Sequence, residues 1–225
     1  MPKLYILATP IGNLGDISLR ALEVLKQVSA IATEDTRVTS KLLSHYEIKK
    51  PLFAYSYQVD SPKNNKLFYL LKDGKDVALV TDAGTPGISD PGGKIVERVT
   101  REFGDQVQII PIPGSNAALA ALSISGFPAD KFLFLGFPPH KKGRQKFFQE
   151  VADSSHTVVF YESPYRIIKT MKELASNQEL KEQSLMIGRE LTKKFETIYR
   201  GKAEEILEKY EGELERGELT LVVGK

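Results

Sequence analysis

Thr81-Asp82-Ala83-Gly84-Thr85-Pro86-Gly87-Ile88-Ser89-Asp90-Pro91-Gly92-Gly93 sets carboxylates among turn-forming residues in one unbroken run. It follows the apolar stretch 77–80 and precedes the helical pattern 94–99. Glycines let a backbone come close to a ligand, and prolines reduce the entropy lost in holding that shape. The run is far longer than the usual connection of about 4–6 residues. At the end of a parallel strand, Asp82 and Asp90 would stand at the mouth of the sheet, where such sheets bind ligands. The competing reading is a long surface loop.

Other segments offer chemistry of the same kind. Glu34-Asp35-Thr36-Arg37 follows a short apolar run and places two carboxylates beside a guanidinium. Such a group orients a hydroxyl, or it is simply the acidic start of a helix. Pro113-Gly114-Ser115-Asn116-Ala117-Ala118 brings backbone N–H groups to a helix start, suited to a polar ligand or to capping by Ser115 or Asn116. His140-Lys141-Lys142-Gly143-Arg144-Gln145-Lys146 is the strongest basic cluster, and it either meets phosphates or forms a solvated helix face. Tyr161-Glu162-Ser163-Pro164-Tyr165-Arg166 ends a strand and begins a helix, with Ser163 as cap and Pro164 in the first turn. Gly188-Arg189-Glu190-Leu191-Thr192-Lys193-Lys194 also follows a strand, as a substrate-facing loop or a surface cluster of ion pairs. The first loop, 9–16, holds Gly12 and Gly15 but lacks G-x-G-x-x-G spacing and a P-loop lysine.

Composition removes several alternatives. The chain has no cysteine, which excludes disulfides, thiol catalysis and thiolate metal sites. His45, His140 and His156 have no metal-ligand spacing, so no metal is expected. A net charge of +2 gives no global case for nucleic acid, which would need a local patch. No apolar run approaches membrane-spanning length, and the N-terminus is too short in apolar residues for a signal peptide. A cytoplasmic protein without a membrane partner is expected.

The elements that must position these groups alternate between strand and helix. Strands are expected at 4–8, 30–33, 51–56, 77–80 and 107–110, and a helix capped by Ser18 carries Leu19, Leu22, Leu25 and Val28 at helical spacing. The alternation argues for a mainly parallel α/β sheet. Pro111-Ile112-Pro113-Gly114 is stiff and cannot continue a ladder, so a boundary is placed there, giving an N-terminal α/β domain, 1–112, and a C-terminal α/β domain, 113–225. A helix of small residues at 117–122 follows. Further strands are expected at 132–135, 157–161, 185–188, 195–199 and 219–223, with a helix at 203–211.

Taken in order, these motifs resemble the bacterial 16S rRNA (cytidine-2'-O)-methyltransferase family of the tetrapyrrole methylase superfamily. The landmarks are Ala8-Thr9-Pro10-Ile11-Gly12-Asn13-Leu14-Gly15-Asp16, Glu34-Asp35-Thr36-Arg37, the 81–93 loop, Pro113-Gly114-Ser115, and the two motifs that begin at Tyr161 and Gly188. The resemblance implies two α/β domains of the tetrapyrrole methylase type with the cofactor cleft between them, S-adenosyl-L-methionine as cofactor, and a homodimer. It implies methyl transfer to the ribose 2'-hydroxyl of a decoding-centre cytidine in 16S rRNA of the small ribosomal subunit. It carries cofactor contacts onto Pro10, Asp82, Ala83, Gly84, Ile88, Ser89, Asn116, Ala117, Tyr161, Glu162 and Thr220. For that reaction Glu34 and Asp35, then Glu190, are the candidate proton acceptors, while Arg37, Arg189 and Lys193 are candidates for flanking phosphates. Lys141, Lys142 and Arg144 are expected to grip RNA. The chain departs from the wider superfamily at Thr81, where a glycine is usual, and many family members carry a further C-terminal segment. The rival readings are a precorrin-type tetrapyrrole methyltransferase and a non-catalytic RNA-binding assembly module. The motifs at Glu34 and Gly188 point away from the first, and the elaborate 81–93 loop argues against the second.

Overall fold

The structure, a computed structural model, describes residues 1–56 and 61–225. The chain divides into two units, Met1–Asn116 and Ala117–Lys225.

The first unit runs β1 (Lys3–Leu7), α1 (Leu19–Gln27), β2 (Ala30–Thr33), α2 (Thr36–His45), β3 (Leu52–Ala54), α3 (Pro62–Lys72), β4 (Val77–Val80), α4 (Gly92–Phe103) and β5 (Gln108–Ile112). Its strands form one five-stranded sheet in the order β3-β2-β4-β1-β5, and every pairing is parallel. All residues of β2 and β4 are buried, which is why these strands read as continuous apolar runs. One face packs Ala30, Ala32, Phe53, Val77 and Leu79 against Leu67 and Leu71 of α3 and Ile95 and Val99 of α4. The other packs Ile31, Ala78 and Val80 against Leu25 of α1 and Leu42 of α2. The Ser18 side chain accepts from the Ala21 N–H and starts α1 as expected, but the helix buries Ala21, Val24 and Leu25. Leu19, counted in the expected apolar stripe, is exposed.

The sheet also continues where proline was expected to stop it. Pro111 lies within β5, paired in register with Ile6. Strand β5 is an edge, and the residues that bond to β1 are the even-numbered ones: Gln108 N–H donates to Pro2 O, and Ala8 N–H donates to Ile112 O. The missing N–H of Pro111 therefore points away from the sheet, where its loss breaks no ladder bond. The following turn stays with the first unit. Thr85 Oγ1 donates to Ser115 O at 3.0 Å, and a Cβ on Gly114 would come within 2.9 Å of Ala8 Cβ. The division accordingly falls after Asn116, four residues beyond the expected 112/113 boundary.

The second unit contains α5 (Ala117–Ser125), β6 (Phe132–Phe134), α6 (Arg144–Asp153), β7 (Thr157–Glu162), α7 (Ile167–Ser176), β8 (Leu185–Arg189), β9 (Thr197–Gly201), α8 (Ala203–Leu214) and β10 (Leu219–Val223). The strand order is β6-β7-β10-β8-β9; β6 pairs with β7 in parallel and the remaining pairs are antiparallel. The mainly parallel expectation thus describes the first sheet and not the second. Helix α5 packs against β7, β8 and β10. The opposite face, with Phe160, Ile187 and Leu221, packs against Phe147 and Phe148 of α6, Met171 of α7 and Ile206 of α8.

Side chains alternate along β7, so Glu162 falls on the face of Val158 and Phe160 and is 2% exposed. A buried carboxylate must be paired. Its oxygens accept from Ser163 N–H at 2.7 Å, Thr170 Oγ1 at 2.6 Å and the Arg166 guanidinium at 2.8 Å. Arg144, 4% exposed, lies 3.8 Å away and bonds to Glu173 at 2.7 Å, to Thr170 Oγ1 and to Pro139 O at 3.2 Å. Arg144 is thus a core cation, a correction to its expected place on an RNA-gripping surface. The Glu162 side chain is likewise occupied within the core, so any part it takes in the expected cofactor wall falls to its backbone. Helix α7 begins at Ile167, later than expected, because 163–166 forms a turn in which Arg166 and Ile167 N–H groups donate to Ser163 O at 3.1 Å.

Replacing Glu162 with Ala strands two arginines in the interior. Urea unfolding of the second unit is expected to show a loss of about 3–5 kcal/mol, the cost of breaking a buried pair from one side. Lys141→Ala, at an exposed position of the same basic run, is expected to leave the midpoint within about 0.5 kcal/mol of the parent.

Candidate active site

Parallel register assembles the site in the first unit. Thr33 pairs with Ala54, Ala32 with Leu79 and Leu7 with Val80. Just past these pairs, Tyr55, Glu34, Thr81 and Ala8 form a single row at the carboxyl edge of the sheet. Alternation places Glu34 on the face of Ala30 and Ala32, Thr81 on that of Val77 and Leu79, and Tyr55 on that of Phe53. Glu34 therefore continues a core face with a carboxylate. Thr81 Oγ1 donates a hydrogen bond to Glu34 Oε1. Burial, followed by the negative charges of Asp90 and Asp82, raises the pKa of Glu34 even though the Thr81 bond opposes the shift. A carboxylate so placed is more basic than an ordinary glutamate.

Tyr55 completes the row. It is 4% exposed, and its hydroxyl is buried without a hydrogen bond. Burial, then the nearby charges of Glu34, Asp90 and Asp82, push its pKa well above the ordinary phenol range. It remains a neutral donor facing an acidic group. Neither Tyr55 nor the role of Thr81 is marked by a local sequence motif. Their signal is the strand register, which appears only once the pairing is known.

The next row holds Asp35 and Asp82. Asp82 Oδ1 accepts from the Asp35 N–H at 3.0 Å, tying the end of β2 to the end of β4. Desolvation, followed by the charge of Asp35, raises the pKa of Asp82. Asp35 itself caps α2, accepting from the Arg37 N–H at 2.8 Å and from the Arg37 guanidinium at 2.6–3.1 Å. These bonds lower its pKa to about 2. Asp35 is thus a helix cap and an anchor for Arg37, too weakly basic to take a proton from a hydroxyl, which corrects one of the two first choices. The Arg37 guanidinium is 86% exposed.

The 81–93 loop is held in one shape by bonds to Thr9 and Ser115 and by bonds among its own residues. Thr9 and Gly84 exchange backbone bonds at 2.9 and 3.0 Å, with Gly84 at φ 85, and Thr9 Oγ1 donates to Thr81 O at 3.1 Å. Asp90 accepts from Gly87 N–H at 2.8 Å and Gly92 N–H at 2.6 Å. Ser89 takes φ 62, a left-handed conformation that costs energy for a residue with a Cβ. Asp82, Ala83, Ile88 and Ser89 remain exposed, whereas Pro10 is buried.

In the second unit the expected residues gather where α5 meets its sheet. The Tyr161 hydroxyl accepts from the Ala118 N–H at 3.2 Å, and Thr220 pairs with Tyr161 in register. The rings of Phe134 and Phe137 stand 5.1 and 5.3 Å from that of Tyr161. Ala117 and Asn116 are half-buried at the helix start.

The motif after β8 is tied to its own surroundings. Burial would raise the pKa of Glu190, but the Glu218 N–H at 2.8 Å and Lys193 at 3.0 Å outweigh it and the net shift is downward. Glu190 is therefore a poor proton acceptor, a second correction. Lys193 also pairs with Glu218 at 2.9 Å, and Arg189 donates to Glu213 O at 3.2 Å and Phe195 O at 3.0 Å. These two cations shape a loop, so the expectation that they hold phosphates finds them already engaged. Lys141 and Lys142 are exposed.

Among the described residues, no group of three or more His, Cys, Asp or Glu is arranged to hold a metal, and no helix is long and apolar enough to cross a membrane. Residues 3–207 match the family model described as Tetrapyrrole (Corrin/Porphyrin) Methylases. The protein named ribosomal RNA small subunit methyltransferase I of Thermotoga maritima is 41% identical over 223 residues, covering 99% of this chain and 98% of the relative. The protein of the same name in Vibrio cholerae is 48% identical over 198 residues, covering 88% of this chain and 67% of the relative. Among solved structures, a Thermus thermophilus uroporphyrin-III-C-methyltransferase superposes with a TM-score of 0.68 at 20% identity, covering 100% of this chain and 95% of that one. A cobalt precorrin-4 methyltransferase superposes with a TM-score of 0.72 at 18% identity, covering 99% of this chain and 94% of that one. At such identities the likeness shows the fold alone.

A carboxyl group whose pKa is raised by folding costs stability once it ionises. Glu34→Gln is therefore expected to match the parent in melting temperature at acid pH and to exceed it increasingly as pH rises above the ordinary glutamate value of 4.5. Melting curves across pH that stay parallel would show that Glu34 titrates as a solvated group.

Proposed function

We propose that this chain, which belongs to the tetrapyrrole methylase family, transfers a methyl group from S-adenosyl-L-methionine to a ribose 2'-hydroxyl of a decoding-centre cytidine in 16S rRNA of the small ribosomal subunit. Relatives that match it nearly end to end carry the name ribosomal RNA small subunit methyltransferase I, which supports RNA as the substrate. The observation that supports a hydroxyl as the acceptor is the place of Glu34, which strand register sets beside Thr81 at the carboxyl edge of the sheet, half-buried and with its basicity raised by that burial.

The residues present suit the cofactor. In the first unit Asp82 is an exposed carboxylate followed by the exposed Ala83, with Ile88 exposed in the same loop; in the second unit, taken by itself, Phe134 and Phe137 stand against the ring of Tyr161. When bound, S-adenosyl-L-methionine supplies a methyl group already activated on a sulfonium sulfur. What remains for the chain is to position the acceptor and to remove its proton. Glu34 accepts the hydroxyl proton, with the Thr81 hydroxyl fixing its carboxylate. Arg37, held by Asp35 yet open to solvent, engages a neighbouring phosphate. Lys141 and Lys142 bind the RNA backbone. A homodimer and a cytoplasmic location complete the proposal.

Labelled cofactor offered in parallel to purified small subunits, naked 16S rRNA and a tetrapyrrole is expected to label RNA, with one internucleotide bond made resistant to alkali. Label in the tetrapyrrole alone overturns the reading. In single-turnover assays Glu34→Gln is expected to slow methylation about 10²–10⁴-fold, the usual contribution of a general base, while Asp35→Asn keeps more of the rate. Asp82→Ala is expected to weaken cofactor binding by roughly 1–3 kcal/mol in calorimetry. Unchanged affinity in the folded variant removes Asp82 from the site.

A further inference from the structure

Strands β6 and β7 run in parallel, and Tyr161 N–H donates to Gly136 O at 2.7 Å, so the segments that follow them leave the second sheet side by side. Both segments are pinned by the buried ion network. Arg166 Nη1 donates to Pro138 O at 2.8 Å, Arg144 Nη1 donates to Pro139 O at 3.2 Å, and Glu162 holds both arginines. Two of the basic residues singled out in the sequence thus face inward and fix the shape of two adjacent loops.

What those loops present outward is chemically specific. Tyr165, at the tip of the second, is 95% exposed. The first carries His140, Lys141, Lys142 and, entering α6, Lys146, with no acidic residue from 131 to 149. Among the described residues, none of those three lysines has an ion-pair partner, and all three are exposed. At the start of the same loop, Phe137 is 52% exposed and packs on Tyr161. Phe137 thus ties the start of this loop to the ring of Tyr161, which is assigned above to the cofactor.

We propose that Tyr165 is a stacking platform for an unpaired base of the RNA substrate, with Lys141, Lys142 and Lys146 holding phosphates of the same strand. The inference rests on the RNA reading above and adds a specificity for single-stranded substrate. An aromatic face accepts any unstacked base, whereas bases within a duplex are already stacked and out of reach. A flexible loop would lose part of that stacking energy to ordering. The buried network removes this loss, because the turn that carries Tyr165 is already fixed.

The test measures binding of a fluorescent single-stranded oligoribonucleotide, the same sequence as a duplex, and purified small subunits, across a salt series. The parent is expected to prefer the single strand. Tyr165→Ala is expected to weaken single-strand binding roughly 5- to 150-fold, the range of base–aromatic stacking, with an unchanged salt slope. Tyr165→Phe is expected to retain parent affinity, and Lys141→Ala with Lys142→Ala to flatten the slope by about 0.7 per lost phosphate contact. Parent-like binding by Tyr165→Ala overturns the inference while leaving the methyltransferase reading intact, provided the subunits are still methylated. A loss seen on subunits and not on the oligonucleotide assigns Tyr165 to a protein contact and also overturns it. A parent that neither binds RNA nor methylates it removes both the inference and the reading beneath it.

Discussion

In the first unit the decisive constraint is parallel pairing with both faces of the sheet covered. Residues in register share a face, and a face that is apolar along β2, β3 and β4 has to change character where the strands end. At that boundary the same alternation that buries Ala30, Ala32 and Phe53 carries Tyr55 and Glu34 onto the core side, Tyr55 buried and Glu34 half in and half out of water. The raised basicity of Glu34 follows from this placement and from the acidic loop beside it. Asp35, one residue further, projects to the other side and meets a helix start and an arginine, so its proton affinity falls. Two adjacent carboxylates in one motif therefore acquire opposite chemistry, because the pleat delivers them to different surroundings.

The second unit solves a different problem with the same alternation. Glu162 also falls on a core face, but there it is enclosed on all sides and has to be neutralised by arginines drawn from two loops. Isolated ion pairs of this kind contribute little net stability, because desolvation offsets attraction. Their effect here is geometric. They join the ends of β6 and β7 to the starts of α6 and α7, so the loops between them keep one shape.

Much of this was legible in the residues. The strand runs, the Ser18 cap, the two α/β units and the chemistry-bearing motifs follow from apolar periodicity and turn residues, and the resemblance carried by those motifs led to the family to which the chain belongs. The sequence did not separate surface charge from buried charge. Arg144 sits in a run of cations and reads as one of them, yet Gly143 at φ 89 turns the chain so that Arg144 opens a helix on its inner side. Glu190 and Lys193 read as outward-facing, and their partner Glu218 lies far along the chain. Tyr55 gave no signal, since its importance depends on which strand lies beside it. Long-range partners decided each of these cases, and a local pattern does not contain them.

The proline within β5 has a consequence for how copies of this chain can meet. An exposed strand edge normally offers a row of donors and acceptors to any other strand that approaches. In β5 the residues whose backbones point outward are Ile109 and Pro111, so the strand has a single outward N–H to offer. A second chain adding itself there would gain too few bonds to stay. Along this border a shared, continuous sheet gains little, and association between copies is favoured on other surfaces.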